Sequence, residues 1–343
     1  MRLAPSVLTA FALGASAALT TPATAQAPGA RTPGPQASGA PPLTFPVACQ
    51  PGRTCEIQHY VDRDPGPGVR DHRCGTMTYE GHNGVDIRLP DLAAQRRGVV
   101  VLAAAAGRVR AVRDGKPDIS VKAAGAPSVA GEECGNGVAI THDGGWETQY
   151  CHMARGSIAV NAGQAVEAGA PLGRIGLSGQ TEYPHLHFTV RRAGRVVDPF
   201  RPDEGQACGD GAAGLWTPEA AARMPYRAGA ILNAGFAAAP VTMDQIEGGA
   251  IGVPDAGALV LVAYARAIAL LPGDEVELDL KGPDGASLAR SRRPPLASWR
   301  AQEMLYIGKR RPAAGWPRGT YTAEYRVWRK GVVVLSRRFQ TTL

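Results

Sequence analysis

Between residues 98 and 200 short apolar runs alternate with glycine-rich turns. The runs at 98–103, 107–112, 138–142, 147–151, 165–166, 172–175 and 186–191 read as β-strands. Their apolar residues recur with period two or in short blocks, and no helical period of useful length is present. Residues 137–152 read as a hairpin, with alternating apolar positions either side of Asp143-Gly144-Gly145. The insert 114–133, rich in Gly, Ala and Pro, is expected to be a loop that walls a cleft. Further on, Thr217 as a cap and Pro218 in the first turn predict a short helix over 217–223. From about residue 230 a second set of strands begins, at 259–265, 276–280, 321–328 and 332–335. Turns at Pro283-Asp284-Gly285 and Arg329-Lys330-Gly331 punctuate it. The expected fold is mostly β: an antiparallel sheet domain followed by an immunoglobulin-like β-sandwich.

The first 25 residues read as a secretory signal, with Arg2, an apolar run over 7–19 and the small-x-small site Ala23-Thr24-Ala25. Residues 26–43 hold mainly Pro, Gly, Ala, Gln and Ser, and are expected to be a disordered linker. The domain reading is then 44–205 for the first sheet domain with an N-terminal extension, 206–234 for a connector and 235–343 for the sandwich. No other run of about 18 apolar residues occurs, so no transmembrane segment is expected in the mature chain. All six cysteines follow the signal, and in an exported protein, periplasmic or extracellular and of the cell envelope, an even count points to disulfides, with the pairing open. The carboxylate-rich stretch 62–68 reads as a surface loop because of its Pro-Gly turns, and neither His59 nor His72 falls in a metal-spaced motif.

Charge is unevenly spread. The chain carries +7, yet residues 286–343 hold thirteen Lys and Arg against two Glu, which leaves −4 for the remainder. A basic sandwich outside the cytoplasm would be drawn to anionic polymers such as cell-wall stems and glycans. Export and the absence of a nucleic-acid motif argue against nucleic acid as partner.

The candidate chemistry centres on Pro184-His185-Leu186-His187-Phe188. On a strand His185 and His187 face one side, roughly 7 Å apart, while Leu186 and Phe188 face a core. A second element, His82-Asn83-Gly84-Val85-Asp86, places a histidine and a carboxylate four residues apart. Extended, they would stand about 13 Å apart, so sharing one ion requires the chain to bend, which Asn83-Gly84 permits. His82, Asp86 and His187 can then form a three-ligand set with a fourth position open, the arrangement of a catalytic zinc. His152 ends the second hairpin arm, where it can reach the same cleft, whereas His142 sits beside the turn as a structural or surface residue.

In this order His-x-Gly-x-Asp, Tyr150-Cys151-His152 and His185-Leu186-His187 resemble the LytM/lysostaphin-type zinc endopeptidases of family M23, over about residues 80–200. The glycine-rich text at 163–169 and 176–179 and the closing Val197-Asp198-Pro199 resemble that family too. The resemblance implies zinc as cofactor, held by His82, Asp86 and His187. It also implies His152 and His185 as the catalytic pair, and peptidoglycan peptide cross-links as substrate, with an activating or wall-associated protein as a possible partner. The chain departs from the family at Gln180-Thr181-Glu182-Tyr183-Pro184, where Ser-Thr-Gly is common, which bears on substrate preference. The alternatives are a catalytically inactive LytM-like regulator that binds wall, a two-histidine-one-carboxylate iron oxygenase, and a pure binding module built on the sandwich.

Overall fold

A computed structural model describes residues 39–125, 129–203, 205, 207–209 and 214–343. The expected signal and most of the expected linker lie outside the described residues. Of the linker's last residues, Leu43 is fully buried and bridges to Trp216.

Ten strands build the first half: β1 (Glu56–His59), β2 (Val85–Arg88), β3 (Val100–Leu102), β4 (Gly107–Arg113), β5 (Asn136–His142), β6 (Trp146–Met153), β7 (Ala165–Val166), β8 (Pro171–Arg174), β9 (His185–Arg192) and β10 (Arg195–Val197). They form an antiparallel sheet in the order β1-β2-β9-β6-β5-β4-β7, with β10 on β9 and β3 paired with β8 beside it. The alternation along β9 decides its faces: Leu186, Phe188 and Val190 enter the core with Ile87, Ile140 and Tyr150, leaving His185, His187, Thr189 and Arg191 on the other side. The Tyr150 hydroxyl accepts the Ala104 amide at 2.7 Å, so the ring is anchored as well as buried. The β5–β6 hairpin turns at Asp143–Gly145, where Gly144 and Gly145 take positive φ.

The expected loop 114–133 includes a short helical turn, Val121–Ala124, and is tied down by carboxylates: Asp118 accepts the amides of Arg155 and Leu177, and Asp114 that of Gly156. The six cysteines are all paired, as Cys49–Cys55, Cys74–Cys208 and Cys134–Cys151.

The second half holds β11 (Ala230–Ala237), β12 (Val260–Leu270), β13 (Glu275–Lys281), β14 (Ser287–Arg292), β15 (Arg300–Arg310), β16 (Thr320–Arg329) and β17 (Val332–Thr342). Sheet β11-β12-β15 faces sheet β14-β13-β16-β17 across a core of Leu261, Leu278, Leu305, Tyr321, Tyr325 and Val327. The helix Met243–Gly248 between β11 and β12 starts on a capping box of Thr242 and Gln245. No helix among the described residues is long and apolar enough to cross a membrane.

His72 lies outside the candidate site, stacked on Phe200 at 4.7 Å and edge-on to Tyr60 at 4.6 Å. Burial pushes its pKa down from 6.5 to about 4, against the pull of Asp71. The unfolded chain therefore takes up this proton first as pH falls. The stability contributed by neutral His72 is complete above about 6.5 and is lost between 6.5 and 4. His72→Phe, which keeps the stacking, is expected to flatten the stability–pH slope in that window by up to about 1.4 kcal/mol per pH unit. Denaturant unfolding of both proteins at several pH values checks this, and equal slopes would count against it.

Candidate metal centre

Strand register brings the site together. Asp86 on β2 is paired with His187 on β9, and His187 in turn with Cys151 on β6. Directly opposed residues of antiparallel strands have Cβ atoms about 4.5–5.5 Å apart, so the carboxylate and the imidazole meet without strain. His82 arrives from the loop before β2. Its Nδ1–H donates to the Tyr60 carbonyl at 2.7 Å, which leaves Nε2 to face Asp86. The bend expected at Asn83-Gly84 lies between them. Gly84 serves here through closeness: a Cβ at this position would lie 2.6 Å from His187 Nε2 and 2.8 Å from the Phe188 carbonyl.

His187 Nδ1 and Asp86 Oδ1 are 2.9 Å apart, His82 Nε2 and Asp86 Oδ1 3.2 Å, and His82 Nε2 and His187 Nδ1 3.2 Å. Ligands of a tetrahedral ion at about 2.0–2.1 Å stand about 3.3 Å apart, so this donor set fits a zinc-sized ion. His187 Nε2 has Asn83 Oδ1 at 2.9 Å and Thr189 Oγ1 at 3.1 Å, partners that leave Nδ1 for an ion. The expected pair lies alongside. His152 Nδ1–H donates to the Ser178 carbonyl at 2.8 Å, leaving Nε2 as an acceptor, and its ring centre is 4.7 Å from that of His185. His185 Nδ1 lies 3.0 Å from the Tyr183 carbonyl, and its Nε2 is 3.4 Å from Asp86 Oδ1. His152 holds a positive φ of 62°, a conformation a non-glycine residue keeps only when its surroundings impose it. Backbone bonds do so on both sides: its N–H donates to Cys134, and its carbonyl accepts from Gly176. Among the described residues His82, Asp86 and His187 form one compact donor group and His152, His185 and His187 an overlapping one.

The electrostatics suit a cation. Burial works against the Asp86 charge, but His82, His185 and His187 outweigh it and hold the carboxyl well below its ordinary range. Burial depresses His187, and burial together with the neighbouring His185 and His187 depresses His152 strongly, so both are neutral donors at neutral pH. Burial also opposes a charge on His82, yet Asp86 prevails and raises it. Removing one charge partner from this cluster would leave buried carboxylate or imidazole uncompensated; a divalent cation compensates them together.

Of the five expected residues His82, His152 and His187 line a cleft of about 360 Å³, whose other walls include Tyr79, Asn83, Glu133, Gln149, Thr189 and Arg191, while Asp86 and His185 are buried within contact distance of them. Sequence reasoning set aside His59, yet its Nδ1–H donates to Asp86 Oδ2 at 3.0 Å. Tyr183, whose hydroxyl lies 3.3 Å from the same nitrogen, was also missed. The only local signal for His59 was its position at the end of a short alternating run, which names no partner.

Two imidazoles and a carboxylate thus converge at the end of an antiparallel sheet, with two further imidazoles beside them, in an arrangement that could hold a metal ion. Residues 80–199 match the family model Peptidase family M23. The chain is 30% identical over 125 residues to the cell division protein DipM of Caulobacter vibrioides, covering 36% of this chain and 17% of DipM. It is 36% identical over 69 residues to the peptidoglycan DD-endopeptidase ShyB of Vibrio cholerae, covering 20% of this chain and 16% of ShyB. The chain thus spans less than a fifth of the length of these curated relatives. Among solved structures, the catalytic domain of a mutant of the prophage-encoded M23 protein EnpA from Enterococcus faecalis superposes with a TM-score of 0.32 at 22% identity, covering 47% of this chain and 96% of that one.

Gly84→Ala is expected to displace the His187 ring and weaken zinc binding roughly 10–100-fold, the range seen when support around a metal ligand is lost. Titration of the metal-free protein with zinc against a chromogenic chelator measures it; an unchanged affinity would show that the close approach of Gly84 is not needed.

Proposed function

We propose that this protein is an exported, zinc-dependent endopeptidase that hydrolyses peptide cross-links of peptidoglycan. The observation that carries the reading is the mutual spacing of 2.9–3.2 Å among His82 Nε2, Asp86 Oδ1 and His187 Nδ1 at the floor of an open cleft. His82, Asp86 and His187 would hold the ion. Zinc at that point supplies Lewis-acid polarisation of a peptide carbonyl and acidifies water. His152 takes the proton from the attacking water on its free Nε2 and delivers it to the leaving amine. Its carbonyl partner Ser178 fixes the tautomer that makes this possible. His185, whose Nδ1–H is held by the Tyr183 carbonyl, presents Nε2 to the same space and, once that nitrogen is protonated as well, donates to the developing oxyanion. Three disulfides support folding in an oxidising compartment, as the leader-like N-terminus also does. The peptidoglycan substrate is supported by the match of residues 80–199 to the M23 family model and by the relative named a peptidoglycan DD-endopeptidase.

Purified protein incubated with purified cell wall is expected to release peptides whose masses identify the bond cut, and a chelator is expected to stop release. His152→Ala should retain zinc and lose about 10²–10⁴-fold in rate. Hydrolysis at the wild-type rate by this variant would remove His152 from the mechanism, and no release by the wild-type protein would favour a wall-binding regulator.

A further inference from the structure

A continuous run of buried and partly buried polar groups joins the sandwich to the candidate metal centre. Arg88 follows Asp86 by two residues on β2, so both side chains leave the same face, and Arg88 is fully buried. Its Nη2 donates to Glu247 Oε2 at 2.5 Å. That oxygen also receives Nη1 of Arg266, a second fully buried arginine, on β12. Arg266 further donates to the Pro90 carbonyl and, at 2.7 Å, to Asn233 Oδ1. The Arg88 guanidinium lies over the Tyr183 ring at 4.0 Å. Two buried guanidinium groups are tolerable only with a carboxylate between them, and here that carboxylate comes from the helix Met243–Gly248.

The other end of Arg88 has a direction built into it. Nη1 donates to Gln58 Oε1 at 2.8 Å. An arginine only donates, so Gln58 must present its carbonyl oxygen there and its amide nitrogen elsewhere. That nitrogen lies 3.5 Å from His59 Nε2. Facing a donor, His59 Nε2 is the acceptor, and the ring proton sits on Nδ1, which donates to Asp86 Oδ2 at 3.0 Å. Asp86 Oδ1 is left for His82 and His187. Each bond therefore sets the polarity of the next, from the sandwich to the carboxylate.

We propose that Arg88, Gln58 and His59 are positioning residues that decide which oxygen of Asp86 faces the ion, and that Glu247 and Arg266 make the C-terminal sandwich a structural part of the metal centre. This rests on the ion site proposed above. Without such a relay the Arg–Glu–Arg group would be an interface contact alone, with no effect on metal binding.

The test uses the full chain, metal-free, with two readouts: zinc affinity in competition with a chromogenic chelator, and the visible spectrum after loading with cobalt(II), which reports the ligand field at Asp86. His59→Phe and Gln58→Leu, neither of them an ion ligand, are expected to weaken zinc binding about 10–100-fold and to shift the cobalt band. His59→Gln, which restores an N–H donor, should recover most of both. Glu247→Gln, with no contact to any ligand, should shift the band in the same sense; Gln58→Leu keeps the test decisive if that variant fails to fold. Wild-type affinity and an unchanged band in both His59→Phe and Gln58→Leu overturn the relay. A wild-type protein that binds neither zinc nor cobalt overturns the ion site and the relay together, which separates the two failures.

Discussion

The pairing of β2 with β9 is the constraint on which the rest depends. It sets Asp86 against His187, and the neighbouring ladders extend the row to His59 on β1 and Cys151 on β6. The carboxylate is nearly wholly buried, so every group around it must answer its charge or its lone pairs. A slip of one residue between β2 and β9 would turn Asp86 into the apolar core and Ile87 into the cleft. The apolar face of β9 excludes that slip, because Leu186, Phe188 and Val190 are already committed to packing on Ile87, Ile140 and Tyr150. Packing energy on one face of the strand thus holds the chemistry on the other.

Much of this was legible in the residues. Period-two runs marked β4, β5, β6 and β9, and the three histidine-bearing motifs named five side chains that the structure gathers into two overlapping donor groups. Those motifs are local: two ligands lie four residues apart and two imidazoles lie two apart, so strand and turn geometry nearly determine their relation. His59 is a different case. It stands 27 residues from Asp86, across a ladder whose register shifts between Ile57 and His59. A bulge cancels the alternation that would have revealed which way His59 points. Tyr183 was read as part of a departure from the family pattern, without the arginine beneath its ring.

In the second half, strands were legible where apolar residues alternate and not where charge covers the exposed face. β14 and β15 run through Arg290, Arg292, Arg300 and Arg310, and their sequence carries no two-residue apolar signal. The helix Met243–Gly248 carries a readable capping box, but at six residues it is too short for an amphipathic period. The two facing sheets establish a sandwich; the immunoglobulin-like label remains a statement about strand pattern.

The charge count along the sequence looks different once the strands are paired. The basic window 286–343 and the acidic residues just before it lie on adjacent strands. Arg290 and Arg326 both reach Glu277, whose side chain is fully buried; Arg292 reaches Glu275, and Arg329 reaches Asp274. A buried carboxylate between two arginines serves the sheet first. What remains to attract an anionic polymer is the smaller group that includes Lys309, Arg310 and Arg311 at the end of β15. At the opposite side of the same sheet pair, Arg266 does for Glu247 what Arg326 does for Glu277, but there the carboxylate also meets Arg88 from the strand that carries Asp86. The sandwich therefore spends part of its positive charge on its own cohesion and part on the interface with the metal centre. A model of it as a free basic module, tethered only to reach the wall, leaves Arg88 and Arg266 without an explanation for their burial.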